Sequence, residues 1–192
     1  MTRILVIDAH PDSDPARFCH ALADAYAESA AGAGHAVERL ALSAIDVPVL
    51  SSQTDWEEGE ASAAIRDAQA MIVRAEHVVI LFPLWLGDVP ALLKAFLEQV
   101  FRPGFAFPTG PRRPNAGLLK GKSARIVVTM GMPALFYRWV YRAHSLKSLR
   151  SNILRFVGIG PIRETLIGNV EGSAGNRTEA LASMRRLGAD AA

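Results

Sequence analysis

A single cysteine, Cys19, occurs in the 192 residues, which excludes an internal disulfide and any cysteine-based zinc cluster. The histidines at 10, 20, 35, 77 and 144 lack metal-ligand spacing, so no metal is expected. Nowhere does an apolar run approach the roughly 20 residues needed to span a bilayer. Met1-Thr2-Arg3-Ile4 leads straight into a short apolar segment ending at Asp8, too short and wrongly flanked for a signal peptide. Repeats, low-complexity stretches and clear linkers are also missing. These absences predict one cytoplasmic domain over residues 1–192, large enough to bury its own core.

Acidic residues are absent from Gln99 to Arg163, a span that carries Arg102, Arg112, Arg113, Lys120, Lys122, Arg125, Arg138, Arg142, Lys147, Arg150, Arg155 and Arg163. The net charge of +2 hides this divide. Such a segment can attract a phosphorylated cofactor, an anionic membrane surface or an acidic patch on a second copy, or it can be a solvated face. Nucleic acid is not expected, since the chain has no helix-turn-helix, zinc finger or aromatic RNA-binding motif.

What is present alternates between strand and helix signals. Arg3 to Ile7 reads as a strand, Pro15 to Ala31 as an alanine-rich helix stopped at Gly32 to Gly34, and Ala36 to Leu42 as a second strand. Glu57 to Arg74 follows as a helix with Ala64, Ile65, Ala68, Met71 and Ile72 at apolar positions. The unalternating run Val78 to Phe82 suits a strand covered on both faces, and Pro90 suits the first turn of the next helix. Ala124 to Thr129 and Ile162 to Ile167 complete five strands, and Asn176 to Leu187 closes as a helix. The order implies an α/β three-layer sandwich with a parallel sheet of flavodoxin-like order 2-1-3-4-5, its ligand at the switch between the first and third strands. Arg102 to Lys120, with Pro103, Gly104, Pro108, Gly110, Pro111 and Pro114, reads as a functional loop.

Three loops would then meet at the carboxyl edge. Ala9 to Phe18 runs from strand to helix, where free N–H groups and the helix dipole attract an anion, and His10, Ser13 and Arg17 can add donors. It contains no glycine, so it is neither a Walker loop nor a dinucleotide fingerprint; Ser13 or Asp14 can equally be a plain helix cap. Phe82-Pro83-Leu84-Trp85-Leu86-Gly87-Asp88-Val89-Pro90 offers Trp85 either as a flat platform or as strand-end packing. In Thr129-Met130-Gly131-Met132, Gly131 lets backbone approach a planar ligand, while Tyr137, Tyr141 and His144 follow at spacings that fit one helical face.

These residues resemble the flavin-dependent NAD(P)H:quinone oxidoreductases, including the ancillary subunits of glutathione-gated potassium efflux systems. The likeness is densest from Phe82-Pro83-Leu84 through Val89-Pro90-Ala91-Leu92-Leu93-Lys94 to Glu98-Gln99-Val100-Phe101 and Gly104-Phe105-Ala106-Phe107. Ala9-His10-Pro11 with Phe18 resembles the family's phosphate loop, and Thr129-Met130-Gly131 its Thr-Thr-Gly-Gly loop. The resemblance implies a homodimer with flavin at the interface, reduced by NAD(P)H and reoxidised by a quinone. By position, His10, Ser13, Arg17 and Phe18 would hold the phosphate; Pro83, Leu84, Trp85 and Leu86 would line the ring; and Thr129, Met130, Gly131 and Met132 would take its other edge. Tyr137 falls where the family has a tyrosine that helps charge shift on the flavin, and His144 is the nearest candidate for its histidine partner. FMN is expected ahead of FAD, because no residue demands an adenine site. The alternative is a flavin-binding subunit of a membrane transporter, docked through the basic 102–163 segment. The chain departs from the family at Leu86, where tryptophan is usual, at Met130 and Met132, where threonine and glycine pair, and at Arg17, where a hydroxyl is common.

Overall fold

The computed structural model describes residues 1–109 and 117–192, so Gly110, Pro111, Arg112, Arg113 and Pro114 of the expected functional loop lie outside the described residues. Five strands, β1 (Arg3–Asp8), β2 (Ala36–Ala41), β3 (His77–Pro83), β4 (Ser123–Thr129) and β5 (Ile162–Ile167), form one sheet in the order β2-β1-β3-β4-β5. Every pairing is parallel, as expected for strands returned by helical crossovers.

Period-two alternation divides each central strand between two cores. Leu5, Ile7, Val78, Ile80, Phe82, Ile126 and Val128 face one layer, with Ile65, Ile72, Leu93 and Phe96 from α3 (Ala63–Arg74) and α4 (Ala91–Val100). Ile4, Val6, Val79, Leu81 and Val127 face the other, with Leu22, Tyr26 and Met184 from α1 (Phe18–Gly32) and α7 (Ala174–Ala189). All seven residues of β3 are buried, which is why its sequence does not alternate.

Several elements differ from those expected. α1 starts at Phe18 rather than Pro15, because Asp12 and Asp14 turn the intervening chain back on itself. The helix expected over Glu57 to Arg74 is two: α2 (Gln53–Glu58) ends at Gly59, and Ser62 restarts α3 by accepting the Ile65 N–H at 3.4 Å. Pro90 caps α4 from outside instead of lying in its first turn. After β4 the chain forms α5 (Ala134–Trp139) and α6 (His144–Ser148), with a π-helical turn at Leu149–Leu154. Arg142 and Ala143 between them are left-handed, at φ 52° and 48°, so Tyr137 and His144 are on separate helices and do not share a face. No helix among the described residues is long and apolar enough to cross a membrane.

Candidate functional site

Parallel strands that end together gather their outgoing loops on one edge, here the carboxyl ends of β1, β3 and β4. The first loop, residues 9–17, is held by its own aspartates. Asp12 Oδ1 accepts the Asp14 N–H at 2.9 Å and Asp14 Oδ1 accepts the Ala16 N–H at 3.0 Å, two successive Asx turns. These turns spend Asp14 on the loop, and the residue at the N-cap of α1 is Arg17, with no side-chain cap. Neither Ser13 nor Asp14 is a helix cap; in the first turn of this 15-residue helix the His20 amide donates to the Arg17 carbonyl at 3.0 Å, and the Phe18 and Cys19 amides ahead of it receive no side-chain cap. Arg17 turns into the loop, its Nε donating to Asp12 Oδ2 at 2.7 Å. The Asp14 backbone amide and this guanidinium hold the Asp12 carboxyl below its usual range. Both partners are half-exposed, so the ion pair shapes the loop more than it stabilises it. Ser13 is exposed, whereas the Phe18 ring packs into the α1/α7 core, leaving only its backbone for an anion.

His10 is buried, with its N–H on Asp8 Oδ1 at 3.2 Å. Burial, reinforced by His20, lowers its pKa below the ordinary imidazole value. Its ring meets Trp85 edge-on, with centroids 5.9 Å apart at 84°. That contact joins the first loop to the second. Pro83 closes β3, and Leu84 donates to the Thr129 carbonyl at 2.8 Å, which joins the second loop to the third. Trp85 and Asp88 exchange both backbone hydrogen bonds, at 3.0 and 2.9 Å, around Leu86 and Gly87 with φ of 49° and 81°. Positive φ at both central positions marks a type I′ turn, usual for Asn-Gly and costly for leucine. The Leu86 side chain stands fully exposed and Trp85 is 47% exposed, so the turn presents two large apolar groups to solvent.

In the third loop Thr129 and Met130 are buried, Met132 is half-buried and Gly131 is exposed. Met130 donates to the Ile167 carbonyl at 2.9 Å and accepts from Val170, and Met132 accepts from Asn169 at 3.2 Å. A fourth loop, residues 168–172 after β5, therefore belongs to the site and was missed from sequence; a Cβ on Gly131 would lie 3.9 Å from the Glu171 carboxyl. Its signal was positional only, since β5 pairs with β4 and must end beside it.

Tyr137 lies inside. Its hydroxyl is 2.6 Å from Ser145 Oγ and accepts the Leu146 N–H at 3.4 Å, so it fastens α6 to α5 and offers no proton at the open edge. His144 is exposed at the start of α6. The basic segment is also not a single face: Arg102 is buried against Gln99 and the Asp55 carbonyl, Lys122 caps the Val73 and Ala75 carbonyls, Arg125 reaches Thr165, and Arg150 pairs with Glu164. Arg112 and Arg113 lie outside the described residues. A groove of about 460 Å³ lined by Trp56, Leu97, Phe101, Phe107 and Phe156 shares no residue with the three loops.

Residues 2–187 match the family described as having a flavodoxin-like fold. The FMN-dependent NADH:quinone oxidoreductase of Ruegeria pomeroyi is 30% identical over 147 residues, 69% of this chain and 72% of that one. Human ribosyldihydronicotinamide dehydrogenase (quinone) is 41% identical over 73 residues, 38% of this chain and 31% of that one. The solved NAD(P)H:quinone oxidoreductase of Methanothermobacter marburgensis superposes with a TM-score of 0.81 over 99% of this chain and 96% of its own, at 23% identity, a likeness of fold. Since the family match runs from the first strand into the last helix, this chain belongs to the flavodoxin-like fold family.

Proposed function

We propose that this chain is an FMN-dependent NAD(P)H:quinone oxidoreductase. The observation that carries the reading is the juxtaposition of an uncapped α1 N-terminus with the His10–Trp85 contact, a phosphate-binding end beside an aromatic wall on one sheet edge. The names of the relatives support FMN and a quinone acceptor. Bound flavin would supply the redox chemistry, taking a hydride from NAD(P)H and passing two electrons to the acceptor.

The chain's own residues would place it. The backbone at Phe18, with His10, Ser13 and Arg17, would hold the phosphate, Arg17 after release from Asp12. Pro83, Leu84, Trp85 and Leu86 would line one side of the ring, and Thr129 to Met132 the other. Tyr137 is then a positioning residue that fixes α6 through Ser145, while His144 stands exposed at the start of that helix. The exposed apolar residues Leu86, Leu135, Phe136, Trp139 and Val140 support a homodimer in which a second copy covers this edge. A cytoplasmic setting accords with the one buried cysteine. Nothing observed favours the transporter-subunit alternative, because much of the basic segment is committed inside the fold.

Purified protein is expected to be yellow, to release FMN by mass, to bleach anaerobically with NAD(P)H and to recover colour with a soluble quinone. A colourless chain that takes up neither FMN nor FAD overturns the proposal.

A further inference from the structure

His20 lies in the first turn of α1, its side chain 15% exposed, and contacts two groups of the first loop. Its Nδ1 is 2.5 Å from Asp8 Oδ2 and its Nε2 is 2.9 Å from the Asp12 carbonyl oxygen. A carbonyl only accepts, and an ionised carboxylate only accepts, so satisfying both contacts requires a proton on each ring nitrogen. Moving one proton to Asp8 would also satisfy them, but an imidazole is the far stronger base of the two. His10 is held differently. Its Nδ1 lies 3.1 Å from the Asp12 amide nitrogen and 3.2 Å from the Asp12 carbonyl oxygen, burial works against a charge on the ring, and its centroid is 5.3 Å from that of His20.

We propose that His20 is a positioning residue whose imidazolium ties the end of β1 to the phosphate loop, so that FMN affinity falls as pH rises through its titration. The inference rests on the reading of this loop as the FMN phosphate site. Asp8 is the hinge of the arrangement, because its Oδ2 takes His20 while its Oδ1 takes the His10 amide. A neutral ring would keep its remaining proton toward the Asp8 carboxylate, so loss of one His20 proton would turn a lone pair toward the Asp12 carbonyl oxygen and release the clamp between the two.

The charges around His20 agree with this. Burial works against the cation and so does the positive end of α1, but the hydrogen bonds to Asp8 and to the Asp12 carbonyl, with the charges of Asp8 and Asp24, outweigh them and raise its pKa. His10 faces it uncharged, Arg17 is taken up by Asp12, and burial pushes the neighbouring Cys19 thiol well up, so that it too is neutral.

Two measurements on the full chain decide the matter. Nitrogen NMR of the FMN-free protein should show both His20 ring nitrogens protonated at pH 7; a neutral ring there overturns the proposal. FMN affinity, read by flavin fluorescence from pH 7 to 9 where the phosphate is already dianionic (its second pKa is about 6), should fall about tenfold, the equivalent of one charge-assisted hydrogen bond. His20→Gln and Asp8→Asn should each flatten that slope, and a slope that persists in either overturns it. Asp8→Asn and the wild-type spectrum carry the test if His20→Gln does not fold. A chain that takes up no FMN at any pH breaks the functional reading instead, and leaves the NMR result to judge the clamp.

Discussion

The α1/α7 layer holds a histidine at each end of the sheet, and the two ends treat it oppositely. At the carboxyl end, His20 sits between Asp8 and the Asp12 carbonyl, and its pKa is raised. At the amino end, His77 opens β3 with its Nδ1 2.7 Å from Ser123 Oγ and its Nε2 buried without a partner among the described residues. There burial, with Arg125 and Arg163, lowers the pKa to about 4. Burial disfavours the cation at both ends; the sign of the neighbours decides the outcome. The carboxyl end gathers acceptors around a charge, while the amino end surrounds a neutral ring with cations, and Arg125 uses its own donors on the Ala192 carbonyl and Thr165.

The largest expected effect of this contrast is on stability in acid. An unfolded chain protonates His77 near pH 6.5 and the folded one not until about pH 4, so the unfolded state binds more protons between them and stability falls as pH drops. The loss across that window is about 3 kcal/mol, at 1.36 kcal/mol for each unit. Urea unfolding from pH 7 to 4 should show the fall in wild type and a clearly shallower one in His77→Leu. Carboxylates contribute to both curves and cancel in the difference, so parallel curves would remove His77 from the account.

Arg125→Met tests the neighbour instead of the ring. It should cost about 1–3 kcal/mol at pH 7, because the Thr165 hydroxyl and the Ala192 carbonyl lose a charged donor. It should also raise the His77 pKa, making the amino end more like the carboxyl end. An unchanged His77 titration in that variant would leave burial and Arg163 as the causes.

The same contrast separates what could be read from the sequence. The strands were legible because Val78 to Phe82 and Ala124 to Thr129 carry apolar side chains to both layers, and the strand order followed from their alternation with helices. His10, Trp85 and Gly131 could be singled out because topology brings loops at strand ends together, and the structure does set their loops side by side. His20 was not singled out: its partners come from β1 and from a loop whose shape is set by the side chains of Asp12 and Asp14, which no periodicity records. Tyr137 was placed at the open edge by position along the chain, but two left-handed residues, Arg142 and Ala143, bend α6 back over it and bury its hydroxyl. Glu171 was missed for a related reason, since only the pairing of β5 with β4 brings its loop beside Gly131.

The smallest effect lies at Leu86, and it is the most instructive about the carboxyl end. A leucine at φ 49° pays for a left-handed backbone, and its full exposure means that no packing within the chain offsets the cost. Asparagine tolerates that conformation and favours type I′ turns. Leu86→Asn should therefore stabilise the isolated chain by up to about 1 kcal/mol, visible as a higher melting temperature. If the leucine faces the acceptor, as its place beside Trp85 implies, the same variant should raise the KM for a soluble quinone several-fold. Stability and acceptor binding would then move in opposite directions at one residue. A variant that gains stability and keeps its KM would show that the exposed leucine covers something other than the substrate, and the second copy of the chain would be the next surface to test.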